Sequence, residues 1–398
     1  MIEDAEAAAL PSQESLDGLP LAQAGGWRSK TWMLRKLVLT AAVWALYVPH
    51  LAILRFLGPR LGPVWARGLA RVHWLLTFVG AQHSVRGTLQ ELHPYFETQL
   101  PVSAILRKHL ELKHECFARF KLFNRRQHIG GDSGLIWEVD PEMTAIFDRA
   151  GSSPNGLIIL GYHFGFFRLS ASAIPQIFPS CNAVYVSNRT AHYAGDTVDA
   201  VADMALETAM WADQQTGARM HYLEPERSVV RLYRMLLAGE TVALAADGAL
   251  GKDFLDVPFL SGKLRLPCGW ARLAAATGAR VLVLVDTQID HRRRRAWIFD
   301  HVQVDDDSPT AIYNAVAESA RILERFVRRE PWSWHPWQRL QFENAEDGSR
   351  VLVIRELGRG QGDCSGSARL ESEQQHLNGC EAQMRRVDKL PALADSGH

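Results

Sequence analysis

Residues Leu157–Leu160 form an unbroken apolar run closed at each end by a glycine, Gly156 and Gly161. Such a run is too short for an ordinary helix and suits a buried strand. Similar runs recur at Val184–Val186, Thr241–Ala246 and Val281–Val285. Helical spacing fills the intervals, over Asp196–Trp211, over Ser228–Leu237 up to Gly239, and over Trp270–Ala276 up to Gly278. Ala296–Val304 then reads as a strand returning antiparallel across a turn of His291 and Arg292–Arg295, and Pro309–Arg328 as a long helix. Strands alternating with helices predict an α/β fold, a mostly parallel central sheet flanked by helices.

The first run delivers His163 to a strand's C-terminal end, where ligands bind in open α/β sheets. An imidazole placed there suits a general base, since its pKa lies near working pH. A lone histidine after a strand also reads as a structural one. Asp247 ends the strand Thr241–Ala246 in the same manner. Gly165 and Gly248 follow closely on these two residues and either admit close backbone approach or simply serve turns.

Several blocks, taken in order, carry a resemblance. Gly161-Tyr-His163-Phe-Gly-Phe-Phe-Arg168 is followed by Val184-Tyr-Val-Ser-Asn-Arg189, then by Leu237-Ala-Gly-Glu-Thr-Val-Ala-Leu-Ala-Ala-Asp247-Gly248. Val257-Pro-Phe-Leu-Ser-Gly-Lys263, Pro267–Ala279 and Arg329-Glu-Pro-Trp-Ser-Trp-His335 complete the series. Over roughly residues 100–340 this resembles the lysophospholipid acyltransferase superfamily, and most of all the bacterial lipid A late acyltransferases and their glycolipid-acylating relatives. The resemblance implies an O-acyltransferase that moves a fatty acyl chain from a thioester of acyl carrier protein or coenzyme A to a hydroxyl of a lipid or glycolipid. It implies catalysis by a histidine, here His163, and no metal or other cofactor beyond the donor substrate. The implied location is the cytoplasmic face of a bacterial inner membrane, with N-terminal helices as the anchor.

Where that family carries an acid five residues after the histidine, this chain has Arg168. An arginine accepts no hydrogen bond and stays charged, so it cannot orient the imidazole as a carboxylate does. Three readings follow. Another carboxylate, with Asp247 the leading candidate, orients His163; or Arg168 faces a phosphate or the oxyanion; or the protein is an inactive homologue that binds lipid or acts as a scaffold. Arg189 either grips an acceptor phosphate or is a surface charge, and Arg272 either contacts substrate or only snorkels. The Arg292–Arg295 cluster reads as a solvated turn, with an anionic lipid or acyl carrier protein surface as the alternative. Trp332, Trp334 and Trp337 read as packing residues.

Lys plus Arg and Asp plus Glu each number 44, so no global charge favours nucleic acid. The five cysteines lack C-x-x-C spacing and read as reduced thiols. Residues 1–26, acidic and broken by prolines, read as a disordered arm. Trp27, Arg28, Lys30, Trp32, Arg35 and Lys36 then form an aromatic and basic collar before the apolar run Leu37–Leu54, which Pro49-His50 interrupts. Basic residues on both flanks favour a helix lying in the membrane interface, or re-entrant, over a simple span, with a buried core helix as the alternative. Pro63–Gly80 reads as a second amphipathic helix, on the membrane or against the core, with Arg67 and Arg71 on another face than its apolar residues. The resulting organisation is a disordered arm (1–26), a membrane-associated helical segment (27–81), an α/β catalytic domain (99–345) and a mostly disordered tail (346–398) in which Val351–Ile354 suits one short strand.

Overall fold

The computed structural model describes residues 49–50, 52–72, 83–126, 135–151, 153–167, 183–188, 219–223, 228–248, 253–345 and 348–355. The chain divides into two compact units, Met1–Arg355 and Glu356–His398, and every described residue lies in the first. The N-terminal arm, most of the run Leu37–Leu54, the helix expected over Asp196–Trp211 and the tail beyond 355 lie outside the described residues.

The described residues form a mixed α/β fold of seven helices and two sheets. The helices are α1 (residues 52–72), α2 (His83–Leu92), α3 (Val102–Arg126), α4 (Pro141–Gly151), α5 (Ser228–Leu237), α6 (Gly269–Thr277) and α7 (Pro309–Arg329). The main sheet holds β1 (Ile136–Val139), β2 (Leu157–Gly161), β3 (Ala183–Asn188), β4 (Arg219–Leu223), β5 (Thr241–Ala245), β8 (Arg280–Gln288) and β9 (Arg293–Phe299) in the order β1-β9-β8-β2-β5-β3-β4. The five strands from β8 to β4 run parallel; β9 turns back antiparallel to β8, and β1 lies parallel to β9 at the edge.

Alternation along β2 explains why its sequence is apolar throughout. Ile158 and Leu160 enter the larger core with Leu236 of α5, Ala271 of α6 and Leu323 of α7, whereas Leu157 and Ile159 pack with Phe147 and Ala150 of α4. A strand covered on both faces keeps no polar side. Helix α7 presents Ile312, Val316, Ala320, Leu323 and Val327 as one buried stripe; Ser308 caps it by accepting the Ala311 N–H at 3.2 Å, and Pro309 occupies its first position. Gly278 closes α6 in the left-handed conformation, at φ 67°.

A second sheet, β6 (Phe254–Phe259), β7 (Gly262–Pro267), β10 (Leu340–Asn344) and β11 (Arg350–Ile354), has the order β10-β11-β7-β6. Sequence patterning anticipates only β11 here. Pro258 and Gly262 disguise the β6–β7 hairpin, yet Pro258 is tolerated because β6 is an edge strand. Strand β1 is likewise absent from the sequence reading. The hairpin between β8 and β9 requires a correction: the turn is Ile289–Arg292, and Arg293, Arg294 and Arg295 belong to β9. Period-two alternation then sends Arg294 inward, where it is buried, so Arg294 is no part of a solvated tip, while Arg292, Arg293 and Arg295 stay exposed.

Helix α1 turns two of its arginines, Arg67 and Arg71, toward α3. Arg67 pairs with Glu115 of α3 at 2.7 Å, Arg71 with Glu111 at 2.8 Å, and Leu54 and Ala66 pack with Ala118. Its apolar residues Phe56, Leu61, Val64, Trp65 and Val72 are exposed, Phe56 at 90 %. Among the described residues no helix is long and apolar enough to cross a membrane.

Candidate active site

Strands β2 and β5 are neighbours in parallel register, with Gly161 opposite Ala245. Two residues further on, each strand end carries a polar residue, His163 on one and Asp247 on the other, so the pairing that zips the sheet also brings these side chains together. His163 Nδ1 lies 2.7 Å from Asp247 Oδ1. Asp247 is fully buried, while the His163 side chain keeps 23 % of its exposure. A carboxylate only accepts, so Nδ1 carries the proton and Nε2 is left with its lone pair. That is the tautomer a general base needs.

Asp247 is held by more than the imidazole. Its two oxygens accept the His163 backbone N–H at 2.9 and 3.1 Å, and Oδ2 accepts the Trp334 indole N–H at 3.0 Å. Burial pushes the carboxyl's pKa up, but the charge and hydrogen bonds of His163, helped by Trp334, outweigh it and hold the pKa below the ordinary value. Trp334 is therefore both a packing residue, edge-on to Trp337 at 5.0 Å, and an anchor for Asp247.

The turn from His163 to Phe166 is pinned along its length. Phe164 forms an isolated bridge with Trp334; the Gly165 N–H donates to the Ser333 carbonyl at 2.8 Å, and the His335 N–H donates to the His163 carbonyl at 2.8 Å. The His335 ring donates from Nε2 to the Gly165 carbonyl at 2.7 Å. Desolvation keeps this buried imidazole neutral, with its pKa well below the usual range. Phe167 stacks edge-on between the two rings, 4.5 Å from His163 and 5.3 Å from His335.

On the other side of β2 stands β8, with Leu284 opposite Gly161. Two residues on is Asp286, which is buried and accepts the Phe166 N–H through both oxygens at 3.1 and 3.0 Å. Arg294, also buried, donates to Asp286 Oδ2 from Nε at 2.9 Å and from Nη2, and its guanidinium lies 4.3 Å over the Phe166 ring. Every backbone N–H from His163 to Phe166 is thus engaged, Phe164 donating to the Tyr162 carbonyl at 2.7 Å. The turn presents the imidazole but offers no free amide to a developing oxyanion.

Of the residues singled out in the sequence, His163, Gly165, Asp247 and Gly248 gather at these strand ends. Arg272 instead forms an ion pair with Asp253 at 3.5 Å, and both side chains are largely exposed. No contact among the described residues joins it to His163 or Asp247. Arg168 and Arg189 lie outside the described residues. Asp286, Ser333 and His335 carry no individual role in the sequence reading, and Arg294 enters it only within the Arg292–Arg295 cluster. For Asp286 a signal existed, since it follows the apolar run Val281–Val285 just as Asp247 follows Thr241–Ala246. Among the described residues no group of three or more His, Cys, Asp or Glu side chains is arranged to hold a metal ion. Scanned against protein-family models the sequence matches none, and a search of curated proteins returns no significant match.

Proposed function

We propose that the protein is a membrane-associated O-acyltransferase using His163 as general base and Asp247 as the carboxylate that orients it. The observation that carries this reading is the 2.7 Å contact between His163 Nδ1 and the buried Asp247, which leaves Nε2 basic on a partly exposed ring at the C-terminal end of a parallel sheet. In the reaction, Nε2 takes the proton of an acceptor hydroxyl as its oxygen attacks the thioester carbonyl. The tetrahedral intermediate then collapses to the ester, and the imidazolium returns the proton to the departing thiolate. Asp247 stabilises the imidazolium between these steps. Oxyanion donors come from outside the His163–Phe166 turn, whose amides are spent; Arg168 is the candidate carried from the sequence.

The substrate class, a fatty acyl thioester of acyl carrier protein or coenzyme A with a lipid or glycolipid hydroxyl as acceptor, comes from the sequence resemblance. Membrane association, at the cytoplasmic face of an inner membrane in that reading, gains support from α1, whose large apolar residues Phe56, Leu61 and Val64 are exposed while Arg67 and Arg71 pair with α3.

The test is acyl transfer by the purified full chain from acyl thioesters to a panel of lysolipids and glycolipids. Activity that falls about 10³–10⁴-fold in Asp247→Asn and in His163→Ala, with folding retained, is the expected result. Full activity in a folded His163→Ala protein would overturn the assignment. A wild-type chain that binds these lipids but transfers nothing would favour the non-catalytic lipid-binding alternative raised by Arg168.

A further inference from the structure

The geometry points to the buried Asp286–Arg294 pair as a positioning device for the His163 imidazole, the second jaw of a clamp whose first jaw is Asp247; this rests on the reading of His163 as general base. Gly161 of β2 is opposite Ala245 on one side and Leu284 on the other. Counting two residues on along each strand gives Asp247, His163 and Asp286, three neighbours at one level of the sheet. Asp247 holds the start of the turn at the His163 N–H and ring, and Asp286 holds its end at the Phe166 N–H.

Three features separate this arrangement from generic packing. Asp286 gives both oxygens to a single backbone amide while Arg294 occupies Oδ2 from two nitrogens, so the carboxylate is fixed in plane and cannot swing. Gly165 sits at φ 58°, and a Cβ built there would lie 2.5 Å from both Arg294 Nη2 and Asp286 Oδ2. The backbone is therefore pressed directly onto the ion pair, in a conformation and a space that suit glycine. Finally, a buried ion pair is weak evidence for a purely stabilising role, because apolar replacements of similar volume are often neutral or better. Glu330 completes the charge environment: burial pushes its carboxyl's pKa up, and the nearby Arg294 charge opposes that shift. Asp286 reaches the site through the Phe166 N–H, and Arg294 through Asp286. They act through the Phe166 amide and the His163–Phe166 turn, in which a displacement of about 1 Å at the reacting group is enough to cost on the order of 10² in rate.

The experiment compares the full-length wild type with Asp286→Leu/Arg294→Met, which removes both charges together, and with Arg294→Lys, which keeps the charge and loses the planar fork. Two readouts are taken on protein shown to be folded by circular dichroism: the His163 Nδ1–H proton resonance and its exchange rate in ¹⁵N-histidine-labelled protein, and kcat and KM for acyl transfer. The expected result is a Nδ1–H resonance that is lost or exchanges faster in the double variant, with kcat down on the order of 10²-fold and KM nearly unchanged. Arg294→Lys is expected to fall between. A folded double variant with the wild-type resonance and kcat would overturn the proposal. If the double variant does not fold, an Arg294→Lys protein identical to wild type in the resonance would overturn it equally. If the wild type itself transfers no acyl group, the general-base reading fails, while the Nδ1–H resonance still decides whether the pair positions the ring.

Discussion

Trp334 donates its indole N–H to Asp247 at 3.0 Å across 87 residues of sequence, tying the tryptophan-rich segment after α7 to the carboxylate that faces His163. Both side chains have no measurable exposure. A hydrogen bond to a buried carboxylate contributes about 1.5–3 kcal/mol, so Trp334→Phe, which keeps most of the volume, should lower unfolding stability by about that amount. Acyl transfer should fall as well, though less than in Asp247→Asn, because the imidazole contact survives. Denaturant unfolding and initial rates on the two variants measure this, and a Trp334→Phe protein equal to wild type in both would remove the indole from the site.

Asp247 also makes stability depend on pH at the acid end. Its folded pKa lies below the unfolded value, so its contribution is fully present above the ordinary carboxylate range and is lost as pH falls through the lowered folded pKa, below about pH 4. Histidines act earlier in the same direction. His109 is buried with Nδ1 donating to the Trp332 carbonyl at 3.0 Å, and desolvation together with the nearby Lys113 charge brings its pKa down to about 3. The unfolded chain then binds a proton that the folded chain refuses, so stability falls by about 1.4 kcal/mol per pH unit for His109 as pH drops below about 6.5. His335 adds to this slope in the same window. His109→Asn, which keeps a donor near the Nδ1 position, should flatten the slope between pH 6 and 4 on the scale of one proton; an unchanged slope would show that His109 protonates in the fold.

Gly165→Ala should be among the most disruptive small substitutions in the chain. Its φ of 58° disfavours any L side chain, and the new methyl would meet Arg294 and Asp286, which are themselves buried and bonded to each other. Strain of this kind costs about 1–3 kcal/mol before any clash is counted. Thermal unfolding should show the loss, and Gly262→Ala is no fair control, because its Cβ would approach the Arg350 carbonyl at 2.8 Å. Gly269→Ala, with nothing within 4 Å, is the control that should be tolerated.

Residues that end apolar strands were legible in the sequence; those placed by alternation or by long-range closure were not. His163 and Asp247 stand out because each follows a run that must be a buried strand, and parallel neighbours in one sheet bring such ends together. Asp286 carries the same signature, yet nothing local says that β8 flanks β2 on its other side; only the strand order does. Arg294 was hidden by its neighbours: four consecutive arginines read as a solvated turn until the hairpin register sends Arg293 and Arg295 out and Arg294 in. Trp334 was legible as a packing residue, but its bond to Asp247 depends on α7 and the turn after it returning the chain to the strand ends. The helical character of residues 63–72 was likewise legible, whereas the choice of which face packs inward was settled by Glu111 and Glu115, forty and forty-eight residues from their partners Arg71 and Arg67.

Helix α1 supplies a prediction in which apolar and charged residues exchange their usual roles. An amphipathic helix on a soluble body normally buries its apolar stripe; here Phe56, Leu61 and Val64 are exposed, at 90 %, 57 % and 54 %, while Arg67 is drawn into a pair with the buried Glu115. If the outward face rests in a membrane interface, Phe56→Glu combined with Leu61→Glu should release the full chain from vesicles of phosphatidylethanolamine and phosphatidylglycerol with little change in unfolding stability, because neither side chain packs against the body. Arg67→Ala should do the reverse, leaving vesicle binding nearly intact while lowering stability, since it leaves Glu115 with Arg119 as its remaining ion-pair partner, at 2.8 Å. Co-sedimentation with vesicles and denaturant unfolding on both proteins separate these outcomes. A glutamate pair that leaves sedimentation unchanged would move the membrane contact away from α1.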